Sequence, residues 1–141
     1  KLIEETRAAS CRAGSQMIKC ISAISSTDIL NAYSEQISKN KSPGIHPVVA
    51  GVCSFVLGVK KEQARQMMMY GFSVSVTGAA LRLGLIDHIQ SQKILHKLKP
   101  KIQQTLEKFK NTQINDCWQF SPGYDLVQMT HEKKFSKMFI T

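Results

Sequence analysis

The sequence lacks the alternation of apolar and polar residues that marks β-strands, and it contains few aromatic residues (7%) and four prolines. Apolar residues make up 43% of the chain and recur every three to four positions, which is typical of amphipathic helices. A length of 141 residues is sufficient for one domain with a single core. We therefore predict an all-α fold, a compact multi-helix domain of about six to seven helices over residues 1–141.

Motifs of catalysis and metal binding are also absent. The chain has no H-E-x-x-H or C-x-x-C sequence and no glycine-rich phosphate loop. His131 and Glu132 are adjacent, but no nucleophile accompanies them in the sequence. The cysteines are widely spaced, which favours small buried thiols over a disulfide framework: Cys11, Cys20, Cys53 and Cys117. These absences favour a binding protein over an enzyme.

No basic and then apolar leader precedes the first helix, and the chain begins Lys-Leu-Ile-Glu-Glu without an initiating methionine. We expect a cytoplasmic protein, and the missing methionine indicates a fragment or a processed chain, so an upstream signal stays open. The apolar run 67–86 has the length of a membrane span, but Arg82 and three hydroxyl residues interrupt it. A membrane protein is therefore not expected.

Local signals predict where the helices begin and end. An amphipathic pattern covers residues 2–24, with apolar or small residues at positions such as Ala13, Cys20 and Ile24. Thr27 is suited to cap a second helix. Pro47 near the start and Gly58 after the end predict the third helix, and Gly84 predicts the end of the fourth. The second, third and fourth helices are expected at about 28–38, 47–57 and 61–83.

The fourth of these helices is so apolar that it should be covered on most sides. A stripe of small residues lies along it, and such a stripe lets another helix approach closely, either within one chain or from a second subunit. Both alternatives stay open. The helix-packing or dimer face consists of Gly71, Ser75, Gly78 and Ala79.

Residues 88–109 form a further amphipathic segment. Its apolar side is expected to contain Ile94, Leu98, Ile102, Leu106 and Phe109, and its polar side Lys93, Lys97 and Lys101. Pro100 interrupts the segment, so a kink or two shorter helices meeting near Lys99 are expected. One more helix is predicted within residues 124–140.

The net charge is +9, and residues 93–141 contain nine lysines and four acidic residues. Such a surplus favours either a solvated lysine face or an acidic partner. Nucleic-acid sites commonly use arginine together with aromatic residues, but no arginine follows Arg82. Nucleic-acid binding is therefore disfavoured, and an acidic protein partner stays open.

Several stretches, in this order, resemble the UreF family of urease accessory proteins. They are residues 46–51 (HPVVAG), 72–84 (FSVSVTGAALRLG), 92–95 (QKIL), 129–132 (MTHE) and 135–141 (FSKMFIT). The resemblance spans most of the chain. It departs at residues 85–88, where the family has a Pro-Leu-Gly-Gln turn, and at Lys137, where the family carries arginine. The N-terminal portion of the family is absent, so the chain resembles the C-terminal two-thirds of such a protein.

The resemblance implies a non-catalytic scaffold for nickel insertion into apo-urease. Its implied partners are a UreD/UreH-type accessory protein and the GTPase UreG, with a homodimer inside the complex. No tightly bound cofactor is implied, and nickel would pass in transit. The implied partner-binding residues are His131, Glu132, Phe135, Lys137, Met138 and Phe139.

His46 is a candidate nickel ligand because imidazole suits that ion, although such a histidine can equally cap a helix. A function from another class also stays open, namely a basic helical module that binds nucleic acid or regulates another protein.

Overall fold

The computed structural model describes residues 4–116 and 121–132, with the side chain of Glu132 excepted. These residues form helices and no strand, which confirms the all-α prediction and the expected number of helices. The helices are α1 (Glu4–Ile24), α2 (Asp28–Ser38), α3 (His46–Val56), α4 (Lys61–Arg82), α5 (His88–Lys108) and α6 (Pro122–Glu132), with a short 3-10 helix at Ile114–Asp116.

The chain divides into two compact units. The first contains α1, α2, α3 and α6, and the second contains α4, α5 and the 3-10 helix. A single domain over residues 1–141 stays a prediction.

The core of the first unit lies where α1, α2 and α3 meet. Leu30, Val49 and Cys53 have no exposed surface, and Ile18 is almost as deeply buried. Burial raises the pKa of the Cys53 thiol because the charged thiolate loses solvation. Cys20, in contrast, is exposed, so the expectation that the cysteines are all buried is wrong for that residue.

The buried face of α1 differs from the predicted one. Ala13, Cys20 and Ile24 are exposed, whereas Gly14 and Ile18 are buried. The physical reason is the approach of α3: a side chain at position 14 would collide with backbone atoms at the start of that helix. The three-to-four spacing was therefore correct, and Met17 and Ile21 of the predicted face do pack against the core, but Ala13, Cys20 and Ile24 do not belong to it.

Helix ends follow the local signals closely. The Thr27 hydroxyl accepts a hydrogen bond from the Leu30 amide at 3.3 Å, as its capping role predicts. Gly58 and Gly84 adopt φ angles of 69° and 70° after α3 and α4, where a side chain would be strained. At the start of α5, the Asp87 carboxylate accepts from the Gln90 amide at 2.6 Å, and the Gln90 side chain accepts from the Asp87 amide at 2.9 Å.

In the second unit α4 packs along α5. The buried residues of α5 are Ser91, Leu95 and Ile102, and Thr77 is the buried residue of α4. Thr77 can be buried because its hydroxyl donates to the carbonyls of Ser73 and Val74 in its own helix. The apolar face predicted for α5 was correct at Ile102, but Ile94 is 37% and Phe109 48% exposed. The contact face begins at the small residue Ser91, which an apolar pattern does not detect.

Pro100 does not divide α5, which is one helix from His88 to Lys108. The prediction of two shorter helices is therefore wrong. A proline leaves the carbonyl four residues earlier without its N–H donor, and here that carbonyl belongs to His96. Both residues are exposed, so water can replace the lost donor. Among residues 4–116 and 121–132, no helix combines the length and apolar character that a membrane span needs.

Candidate functional site

The first candidate residue, His46, opens α3 and is half-buried. Its backbone N–H donates to the Ser10 hydroxyl at 3.1 Å, so α1 supplies the capping oxygen for a helix far along the chain. Gly14 lies at the same contact, where a Cβ atom would be 2.1 Å from the Gly44 carbonyl oxygen. The backbone of His46 is thus fixed by α1, which supports a structural role for this position.

The structure does not surround His46 with other ligands. Within the described ranges, no three side chains of histidine, cysteine, aspartate or glutamate come close enough to hold a metal ion. Nickel contact by His46 stays a prediction.

His131 lies on α6, and its ring contacts α1. Its Nδ1 atom is 3.1 Å from a carboxylate oxygen of Glu5, with both side chains partly shielded from solvent. This pair connects the last described helix to the first. The proposed partner-binding role of His131 stays a prediction, and so does that of Glu132, whose side chain is not described. Phe135, Lys137, Met138 and Phe139 lie outside the described residues.

The stripe of small residues lies largely on an open side of α4. Gly71 and Ser75 are exposed, while Gly78 and Ala79 are half-buried. Among the described residues, a Cβ atom at position 71 would meet no atom within 4 Å, and one at position 78 would meet the Arg82 guanidinium at 3.5 Å. Close packing at Gly71 against another helix of the same chain is not seen among the described residues, and that alternative stays a prediction. The second alternative, a face for another subunit, stays a prediction.

Large apolar side chains are also exposed on α4. Phe72 is 64% exposed and Met67 62% exposed, although apolar groups of this size are usually covered. The expectation that α4 is covered on most sides is not met by the described residues. The exposed side chains, called the α4 apolar surface below, are Met67, Tyr70, Phe72, Val74, Val76 and Leu83.

A cavity of about 440 Å³ opens between Tyr70 of α4 and the first half of α5. Leu95 is its buried lining residue, and Ile89 contributes an exposed apolar side chain. The polar lining residues are Gln92, Lys93, His96, Lys97 and Lys99. The sequence had placed Lys93 and Lys97 together on one side of the helix, but nothing in its pattern indicated that Tyr70 of another helix lies beside them.

Comparison with known proteins decides the family. The family model of UreF matches residues 1–99, which include α1 to α4 and the first half of α5. The chain belongs to the UreF family. No solved structure matches it.

UreF proteins from several bacteria are similar to this chain. The urease accessory protein UreF of Trichodesmium erythraeum (strain IMS101) is 34% identical over 95 residues, which cover 67% of this chain and 41% of that protein. The urease accessory protein UreF 2 of Brucella suis (strain ATCC 23445 / NCTC 10510) is 30% identical over 140 residues, 99% of this chain and 58% of the relative. UreF of Photorhabdus laumondii subsp. laumondii is 24% identical over 139 residues. The chain therefore spans about 40 to 60% of the length of these relatives.

Proposed function

We propose that this chain is a non-catalytic accessory protein of urease maturation. The observation that carries the proposal is the similarity to proteins named urease accessory protein UreF, which extends over 99% of the chain in the Brucella suis relative. The absence of a metal-holding cluster among the described side chains is compatible with a protein that positions others. Its place of action would be the cytoplasm.

The partners in this proposal are a UreD/UreH-type accessory protein, a UreG-type GTPase and apo-urease. GTP hydrolysis would belong to the GTPase, and nickel would pass through the complex in transit to apo-urease. Support for a binding role comes from the α4 apolar surface, because several large apolar side chains exposed on one helix are typical of a helix that a partner covers. A homodimer would use the neighbouring stripe of Gly71, Ser75, Gly78 and Ala79.

His46 would line the nickel route in this proposal. Its replacement by alanine should then reduce the nickel content of co-produced urease while leaving the Ser10 cap intact, because that cap uses the backbone N–H of residue 46. A Ser10→Ala variant is the matched control, since it removes the cap and keeps the imidazole. Equal nickel loss in both variants would assign His46 a structural role only.

The C-terminal tail provides the main test. Removal of residues 135–141 is expected to abolish capture of a UreD-type protein in a pull-down and to leave the far-UV circular dichroism spectrum almost unchanged. Phe135, Met138 and Phe139 could each contribute about 1.5–3 kcal/mol when fully covered by a partner. That gain exceeds the few kcal/mol that ordering of a terminal segment costs.

A variant with Ser136 and Thr141 changed to alanine keeps the tail and its apolar groups, and it is the control for the truncation. Undiminished capture by the truncated chain would exclude the tail as the docking element. Unfolding of the truncated chain would instead assign these apolar residues to its own core.

The alternative, a basic helical module that binds nucleic acid, rests on the net charge of +9. In our proposal the chain binds random duplex DNA at physiological salt no more tightly than the usual nonspecific range, roughly 10⁻⁴ to 10⁻⁶ M. Nanomolar DNA binding in a filter or anisotropy assay would favour the alternative.

A further inference from the structure

The cavity beside Tyr70 combines an apolar interior with a cationic rim. Leu95 is only 6% exposed, and Tyr70 and Ile89 provide further apolar surface. Lys93, Lys97 and Lys99 surround this surface, and no acidic residue lies among the described residues of the lining. A volume of about 440 Å³ lies within the range of roughly 300–1,000 Å³ in which proteins bind small groups. The cavity can therefore accept an apolar side chain that is accompanied by negative charge.

The charges along α5 are unbalanced. Between His88 and Leu106 the helix carries four lysines and no acid, and the first acidic residue is Glu107. Exposed helices usually place a glutamate or aspartate one turn from a lysine, which stabilises the helix. Two pairs on α5 instead place like charges one turn apart, which destabilises the helix: Lys93 with Lys97, and Lys97 with Lys101.

No carboxylate of the described part of the chain compensates these charges. The ion pairs formed by its lysines are Lys39 with Glu35 and Lys110 with Glu107, and neither involves a cavity residue. The Asp87 carboxylate, near the start of the same helix, accepts a hydrogen bond from the Gln90 backbone amide and not from a lysine. An external anion would therefore relieve the repulsion among the cavity lysines.

The spacing of the lysines indicates the form of that anion. Side chains four residues apart on a helix have Cβ atoms about 5–6 Å apart. A second helix laid along α5 can present two carboxylates at the same spacing, with an apolar side chain between them directed toward Leu95. This arrangement uses both the charge and the apolar interior of the cavity.

We propose that this cavity is a docking site for an acidic helical segment of a partner protein, with two carboxylates one turn apart and an apolar side chain between them. Nucleic acid fits the observations less well. Its sites commonly use arginine and several aromatic side chains, whereas the lining here has three lysines, one tyrosine and no arginine. The positive rim would speed association and set specificity, and the apolar interior would supply contact area.

A fluorescent probe peptide tests the proposal directly. The peptide is helical and contains Glu-x-x-Leu-Glu, in which the two glutamates are one turn apart and the leucine lies on the same side of the helix. It is compared with the same peptide carrying glutamine at both glutamates. Fluorescence anisotropy with the full chain should show at least about tenfold tighter binding of the glutamate peptide, and the difference should shrink at high salt.

Two charge-reversal variants localise the binding. Lys93→Glu with Lys97→Glu should weaken binding of the glutamate peptide by at least about tenfold. Lys108→Glu with Lys110→Glu changes the net charge equally at the far end of α5, outside the cavity lining and more than two turns from Lys99, and it should weaken binding by less than about threefold. Tyr70→Ala should weaken binding of both peptides, because it removes apolar contact and no charge.

Amide chemical-shift mapping of the unmodified chain provides a second measurement if a variant fails to fold. Shifts that cluster at Tyr70 and at residues 89–99 would support the docking site. The proposal is overturned by equal affinity for the two peptides, by equal effects of the two double variants, or by shifts located elsewhere. Tighter binding of duplex DNA than of the peptide, lost in the Lys93 and Lys97 variant, would assign the site to nucleic acid instead.

Discussion

Gly14 and Gly71 show how differently two glycines can be used inside helices. At Gly14 a Cβ atom would lie 2.1 Å from the Gly44 carbonyl oxygen and 3.1 Å from the His46 nitrogen. At Gly71 it would meet nothing within 4 Å. Glycine costs roughly 1 kcal/mol relative to alanine in a helix interior, and among the described residues only the packing at Gly14 explains that cost.

The two alanine substitutions should therefore change stability in opposite directions. Gly14→Ala is expected to lower the free energy of unfolding by about 1–3 kcal/mol, because the backbone at Gly44 must move to admit the methyl group. Gly71→Ala should raise it by up to about 1 kcal/mol through helix propensity alone. Urea denaturation of the monomeric chain measures both values, and a destabilised Gly71→Ala variant would reveal a hidden contact at that position.

Spacing alone could not distinguish these two glycines. The stripe of Gly71, Ser75 and Ala79 has the regular interval that indicates close helix packing, whereas Gly14 stands without such a pattern in α1. Which glycine is covered depends on the approach of α3 at Gly44 and His46, a contact between residues about 30 apart in the chain. Local sequence carries little information about such a contact.

At the scale of elements, polar side chains connect α4 and α5, which bury few apolar residues between them. Arg65 lies near the start of α4, and its Nη2 atom donates to the carbonyls of Leu106 and Phe109 at 3.3 and 3.0 Å. These carbonyls lie at the C-terminal end of α5, where backbone acceptors have no helical partner and a cation is favoured. Gln66 and Gln103 add a hydrogen bond at 3.0 Å beside them.

Replacement of Arg65 by alanine should lower the free energy of unfolding by about 1 kcal/mol, since charged hydrogen bonds are strong but solvent screens this partly exposed site. Arg12→Ala is the control, because Arg12 is exposed on α1. It should change stability by less than about 0.5 kcal/mol. Thermal unfolding of both variants makes the comparison, and equal melting temperatures for the two would mean that the Arg65 contacts contribute nothing measurable.

Element boundaries were predictable because their causes are local. The Thr27 cap and the glycines after α3 and α4 each act within a few residues, and all appear where the sequence placed them. The side of α5 that faces α4 was less predictable, because Ser91 contributes to it and carries no apolar signal. Of the two alternatives predicted at Pro100, the division into two helices was wrong for a related reason, and the kink stays a prediction. The effect of the proline depends on whether the freed carbonyl reaches water, and the sequence does not show exposure.

At the scale of the whole molecule, helix content follows from composition and spacing, and the division into two units does not. The predicted importance of α4 for packing was partly correct, since it contacts α5, but its apolar surface has no cover among the described residues. If a partner or a second copy covers this surface, the sequence of one chain does not show which residues cover it. The candidate cavity depends on the same tertiary contact, through the position of Tyr70 beside Lys93.

The concentration of fully buried side chains in the first unit has a kinetic consequence. Leu30, Val49 and Cys53 lie in α2 and α3, whereas the middle of α4 has exposed Phe72 and Val76. Local opening requires little free energy where few apolar contacts are lost. Deuterium uptake measured by mass spectrometry should therefore be slowest in residues 46–56 and faster in residues 67–76, and the reverse order would contradict this. Slower uptake in residues 67–76 at higher protein concentration would mean that self-association of the chain protects α4 from local opening.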